Sequence, residues 1–365
     1  MKASLRSAEP GPKRQFSVGK QILFSVIIVG SLLLAVEGAI RVWALYFRTS
    51  YERYNAHTGR LELRPNLSYT NGYGQEFRIN SKGFVGPEFD DQPRPGVYRI
   101  IALGDSCTFG TGFWQVSYPG VLQRLLDGGG APRRFEVINA GIEGYNSTFA
   151  LDRIRDELLR YRPNLVLLYV GWNDLMKIDP SNQAEVDKYR WLATILDSSY
   201  LVKAYKKLLF VNLRPVVLRP RTDERPEDIE AFAHFTPTRY RSNLEAMVRL
   251  LRQNGVAVMM VTLPTVVRPG MTGDELQRAH VFFPYFPDAY GTARFLSLHR
   301  AYNRAIVDVA SQERAELVDL VPVFDALPQK QTYFWDTMHP SATGHTLIAE
   351  TLFGRIKKLE TEGRL

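Results

Sequence analysis

From Tyr98 onward the chain repeats one pattern five times: a short, almost unbroken apolar run followed by a longer amphipathic stretch. The runs are Tyr98–Leu103, Phe135–Asn139, Leu165–Val170, Val256–Thr262 and Glu316–Leu320, and they predict strands. Helical periodicity marks the segments near Tyr118–Leu126, Ala150–Tyr161, Tyr240–Asn254, Ala293–Gln312 and Thr343–Lys358. Strands that are apolar on both faces must be covered on both faces, and strands joined through helices pair in parallel. The expectation is an α/β fold in three layers, with a mostly parallel five-stranded sheet between two sets of helices. Such sheets bind ligands beyond the carboxyl ends of their strands.

The residues that carry chemistry fall at those ends. The first run closes in Leu103-Gly-Asp-Ser-Cys-Thr-Phe-Gly, which puts Ser106 where strand gives way to loop. Far downstream, Asp336 and His339 stand three positions apart in Phe-Trp-Asp-Thr-Met-His-Pro. A serine hydroxyl is a poor nucleophile until an imidazole takes its proton, and an acid must hold that imidazole in place. One short loop carrying both could meet a serine on a distant strand, so the chain reads first as a serine hydrolase. The second run ends in Val137-Ile-Asn-Ala-Gly-Ile-Glu-Gly, where Gly141 or Gly144 could bring a backbone N–H close to a ligand or serve only a turn. The third ends in Gly171-Trp-Asn-Asp, and Asn173 offers an amide donor at the same edge. The N–H of Ser106, the N–H of Gly144 and the Asn173 amide would make three donors around an oxyanion.

Four blocks now stand in order: Gly104-Asp105-Ser106, Gly144, Gly171-Trp172-Asn173-Asp174 and Asp336-Thr337-Met338-His339-Pro340. Together, over about Tyr98 to Phe353, they resemble the SGNH (GDSL) hydrolase superfamily. The Gly-x-Ser-x-Gly elbow of the α/β-hydrolases is absent around Ser106. The resemblance implies a flavodoxin-like α/β/α hydrolase fold. It further implies Ser106 as nucleophile, His339 as general base, Asp336 as its orienting acid, and Ser106, Gly144 and Asn173 as the oxyanion hole. Gly144 fits the family spacing, with Gly141 as the fallback. No cofactor is required.

The remaining polar candidates have plainer readings. His345 reads as a packing or capping residue, and Asp105 and Asp174 as local hydrogen-bonding groups. His57, His234, His280 and His299 lack partners at metal-ligand spacing, so no metal is expected. Cys107, the single cysteine, excludes an internal disulfide and should point into the core. A net charge of +8 invites an anionic partner, yet the arginines form no stripe with interleaved aromatics, so nucleic-acid binding is not expected.

Ahead of the repeating pattern, residues 1–20 are basic and 21–47 are predominantly apolar. Glu37 and Arg41 interrupt that run at i, i+4 spacing, and Trp43 and Tyr46 stand near its far end. The length suits a single transmembrane anchor, with Lys2, Arg6, Lys13, Arg14 and Lys20 holding the N-terminus in the cytoplasm and the rest outside. A cleaved signal peptide competes, but Glu37 falls where a small residue would be wanted. Residues 48–97 read as a small β-rich or irregular region, and 98–365 as the hydrolase domain. Insertions break that domain near 176–238, with an amphipathic helix around Trp191–Phe210 and a basic stretch Arg214–Pro226, and near 266–290. The second, His280-Val-Phe-Phe-Pro-Tyr-Phe-Pro-Asp-Ala-Tyr, could wall a substrate cleft or simply pack on the core. The expected activity is hydrolysis of an ester, a carbohydrate O-acyl or lipid ester, outside the cytoplasmic membrane. The alternatives are O-acyl transfer to an envelope glycan, or a glycan-binding module without catalysis. Acyl chain length and oligomeric state are not legible.

Overall fold

The computed structural model describes residues 17–47, 51–55, 60–72, 74–129, 133–177, 199–206, 224–284 and 290–365. They divide into two units, one of residues 1–50 with 191–208, the other of 51–190 with 209–365.

In the first unit, helix α1 (Val18–Phe47) presents apolar side chains from Val18 to Val42, a stretch long and apolar enough to cross a membrane. Glu37 and Arg41 do pair, Nε to Oε1 at 2.6 Å. Glu37 also receives the Ser199 hydroxyl at 2.9 Å and the backbone N–H groups of Tyr200 and Leu201 at 3.0 and 2.7 Å. These donors open the short helix found within the first insertion, which in this structure runs Tyr200–Lys206. The remainder of the amphipathic segment Trp191–Phe210, and most of Arg214–Pro226, lie outside the described residues.

The second unit begins with two antiparallel hairpins, β1 (Glu52–Asn55) with β2 (Arg60–Leu63) and β3 (Leu67–Thr70) with β4 (Glu76–Ile79). Five parallel strands follow: β5 (Val97–Gly104), β6 (Arg134–Gly141), β7 (Leu165–Tyr169), β8 (Ala257–Val261) and β9 (Glu316–Val318). Their order in the sheet is β6-β5-β7-β8-β9. The chain steps outward from β5 to β6, then crosses back to β7, so the switch point lies beside the carboxyl end of β5. Helices Tyr118–Gly128 and Ala342–Thr361 pack together on one face, and Ser147–Asp156, Thr238–Gln253 and Thr292–Gln312 on the other. This is the three-layer α/β/α arrangement expected, and the inner strands are buried on both faces as their composition requires, with Ile100 to Leu103 and Val166 to Leu168 at 2% exposure or less.

A second, smaller core lies under the loops that follow β5 and β6. Leu63, Phe77 and Ile79 from the hairpins meet Val85, Phe109, Ile142 and Tyr145 there.

Candidate active site

Ser106 is the first residue of a four-residue helix, Ser106–Phe109, rather than part of a loop. Asp105 caps it, accepting the Cys107 N–H at 3.0 Å. Gly104 permits this helix to close on the sheet, because a Cβ there would stand 2.1 Å from Thr108 Oγ1 and 2.3 Å from the Tyr169 carbonyl. Asn139, fully buried on β6, donates to the Thr108 carbonyl at 2.9 Å and pins the helix from the neighbouring strand.

The loop carrying Asp336 and His339 comes to the same place. Ser106 Oγ lies 2.8 Å from His339 Nε2, and His339 Nδ1 lies 2.7 Å from Asp336 Oδ2. Asp336 Oδ1 accepts the backbone N–H groups of Met338 and His339, both at 3.0 Å, so the carboxylate folds its own loop as well as facing the imidazole. Burial works against charge on both groups. The hydrogen bond and charge of Asp336, with Asp105 and Glu143 adding, still hold His339 above its ordinary pKa. Burial likewise pushes Asp336 up, but the His339 contact and the two N–H groups outweigh it and keep the carboxyl below the usual range. An imidazole bonded at Nδ1 to a carboxylate presents Nε2 as the acceptor toward the serine hydroxyl.

Gly144 adopts a left-handed φ of +74°, and it, not Gly141, stands free of the strand. The Gly141 N–H is taken by Asn139 Oδ1 at 2.9 Å. Asn173 lies in the short helix Trp172–Lys177, and its amide donates to the Tyr145 carbonyl at 3.0 Å, directly beside Gly144. A primary amide has a second hydrogen to offer. Asp174, buried, accepts the N–H and hydroxyl of Ser147 at 2.8 and 2.6 Å, and burial pushes its carboxyl up to about 6. Burial raises Asp105 to about 6 as well, against the pull of the Cys107 N–H.

Cys107 does point inward: it is fully buried, its thiol meets the Met338 carbonyl at 3.5 Å, and burial followed by the charges of Asp105 and Asp336 raises it well above the ordinary value. It stays a thiol. His345 accepts the Tyr118 N–H on Nδ1 at 3.3 Å, and burial pushes it down to about 3. His299 is buried against Trp172 and Phe295, and burial lowers it to about 4. Among the described residues no group of three His, Cys, Asp or Glu side chains is placed to hold a metal.

The second insertion joins the site through Thr337. The buried Thr337 hydroxyl donates to the Phe282 carbonyl and accepts the Phe282 N–H, each at 2.7 Å. Phe283 packs between Tyr290 and Phe295, so this part of the aromatic segment lies on the core; residues 285–289 lie outside the described residues. The supporting roles of Thr337 and Asn139 carried no periodic or motif signal beyond their nearness to the reactive residues.

The GDSL-like Lipase/Acylhydrolase family model matches residues 102–347, and the chain belongs to that family. It is accordingly an ester-hydrolysing enzyme. Three solved structures of similar build are a lipase/acylhydrolase from Enterococcus faecalis, a GDSL-like lipase from Bacteroides thetaiotaomicron and the psychrotrophic esterase EstA from Pseudoalteromonas sp.. The first is 17% identical, covers 72% of this chain and 96% of its own, and has a TM-score of 0.41. The second is 15% identical over 71% of this chain and 88% of its own (TM-score 0.41), and the third 16% identical over 72% and 98% (TM-score 0.40). No curated protein matches the sequence.

Proposed function

We propose that the protein is a membrane-anchored serine esterase that works through an acyl-enzyme on Ser106. The observation that carries this reading is the continuous relay from Ser106 Oγ through His339 to Asp336, at 2.8 and 2.7 Å. As Oγ attacks the ester carbonyl, Nε2 of His339 takes its proton, and Asp336 stabilises the imidazolium at Nδ1. The negative oxygen falls among the N–H groups of Ser106 and Gly144 and the amide of Asn173. His339 returns the proton to the departing alcohol, then takes one from the water that releases the acyl group.

The α1 helix, with Lys2, Arg6, Lys13 and Arg14 before it and Lys20 in its first turn, supports an anchor with the N-terminus in the cytoplasm and the catalytic unit outside. Substrates in that location are esters of envelope glycans or lipids. A p-nitrophenyl ester series of increasing acyl length tests both parts. Ser106→Ala should lower kcat by roughly 10⁴-fold or more at every length with the fold intact. Turnover by Ser106→Ala at the wild-type rate would exclude the acyl-enzyme. A preference for acetyl points to a carbohydrate O-acyl ester, and for long chains to a lipid.

A further inference from the structure

Tyr51 lies just before β1, outside the residues that match the family. Its ring stacks on Phe109, the last residue of the Ser106 helix, with centroids 5.3 Å apart and planes at 20°. Its hydroxyl donates to Glu143 Oε2, and Glu143 immediately precedes Gly144. One side chain thus touches both the helix that starts at Ser106 and the loop that carries Gly144. On the other side of Gly144, the Tyr145 hydroxyl donates to the Leu61 carbonyl of β2 at 2.7 Å, while the Tyr145 carbonyl takes the Asn173 amide. Both neighbours of Gly144 are therefore tethered, Glu143 to Tyr51 and Tyr145 to Leu61. A left-handed glycine on an untethered loop would present its N–H in many directions, and donors stabilise an oxyanion only when fixed beforehand.

Resting on the serine-esterase reading above, we propose that Tyr51 and Glu143 are positioning residues of the active site. The Tyr51 hydroxyl fixes the Glu143 carboxylate, the fixed loop aims the Gly144 N–H at the oxyanion, and Tyr51 and Leu61 are working parts of the catalytic centre. The charge of Glu143 supplies a readout that a mere packing contact lacks. The titratable groups facing His339 are Asp336 on its own loop, Asp105 at the end of β5, Glu143 after β6 and His345 on the last helix. Lys177 stands beside the same loop, its ammonium 3.5 Å from the Gly144 carbonyl. Glu143 favours the imidazolium, so neutralising it must lower the pKa of His339.

The test uses the full-length chain in detergent, with p-nitrophenyl acetate as substrate and kcat/KM followed across the histidine range. Tyr51→Phe keeps the stacked ring and removes one hydrogen bond; kcat should fall about tenfold with KM held within about twofold. Glu143→Gln keeps an acceptor for Tyr51 and should move the acid limb to lower pH. Wild-type kcat in Tyr51→Phe, or an unmoved acid limb in Glu143→Gln, overturns the proposal. Labelling by a fluorophosphonate probe separates the two readings: an unlabelled Ser106 in the wild type removes the esterase mechanism, whereas a labelled one with inert substitutions removes only the positioning role.

Discussion

Thr337 offers a sharp test of how the catalytic loop is held. It sits between Asp336 and His339, fully buried, and its hydroxyl closes a two-way pair with Phe282 at 2.7 Å in each direction. Its carbonyl accepts the Thr265 hydroxyl at 2.6 Å and the Val266 N–H at 3.2 Å. Thr337→Val keeps the branched shape and the backbone contacts, and removes only the hydroxyl. The Phe282 N–H and carbonyl then lose their partner, at a cost of roughly 1–2 kcal/mol each, or about 2–4 kcal/mol in all. For a domain of this size that lowers the melting temperature by roughly 5–10 °C. Because Asp336 and His339 share the loop, a displacement of about 1 Å would also reduce kcat by one to two orders of magnitude while leaving KM nearly unchanged. Thermal unfolding and steady-state kinetics on the same samples read both effects. Thr337→Ser, which restores the hydroxyl, should recover most of each. A Thr337→Val protein that melts within a degree or two of wild type and turns over at the wild-type rate would refute the argument, because it would show that the pair with Phe282 does not hold the loop.

Two further outcomes follow from charge. Asp336→Asn leaves a neutral group beside Nδ1 and should reduce kcat by roughly 10³–10⁴-fold. Its residual activity should have an acid limb at lower pH than wild type, since the carboxylate that raises His339 is gone; a pH–rate profile with an unmoved limb would contradict this. Between pH 6 and 4 the buried histidines and buried aspartates should pull stability in opposite directions. His345 and His299, at about 3 and 4, refuse protons that the unfolded chain binds below 6.5, so their contribution is lost as pH falls. Asp105 and Asp174, at about 6, hold protons that the unfolded chain releases above 3.8, so their contribution grows over the same fall. His345→Gln removes one of the two opposing histidines. Between pH 6 and 4 its stability should rise relative to wild type in urea melts, and parallel curves for the two proteins would count against it.

The sheet was legible because its strands are apolar on both faces, a pattern few other elements share. Their ends were less so, for local reasons. Glu316–Leu320 reads as one strand, but β9 stops at Val318 because Asp319 turns to cap the next helix, accepting the Val321 N–H, and also takes the Thr262 hydroxyl at 2.7 Å. Ala150–Tyr161 reads as one helix, whereas Asn146 starts it earlier by capping at the Phe149 N–H, and a separate 3₁₀ turn occupies Leu158–Tyr161. The helix at Ser106 spans four residues, too few for a period to show. Gly273–Arg278 inside the second insertion is nearly as short, although Thr272 and Glu275 form a capping box that the sequence did contain.

The residues proposed to react stood out in the sequence for a different reason: a nucleophile, a base and an acid must be of particular types. What holds them carries no such restriction. Asn139, Thr337 and Tyr51 act on backbone or carboxylate groups between 31 and 92 positions away in the chain, and many residue types could fill those roles. The hairpins show the consequence. Leu63, Phe77 and Ile79 look like ordinary strand residues, yet they build the small core on which Phe109 and Ile142 rest, and those two follow Ser106 and precede Gly144. Placing a hydroxyl within 2.8 Å of an imbedded imidazole is therefore a property of the whole second unit, including segments before residue 97, and substitutions in that segment should tell on kcat before they tell on substrate affinity.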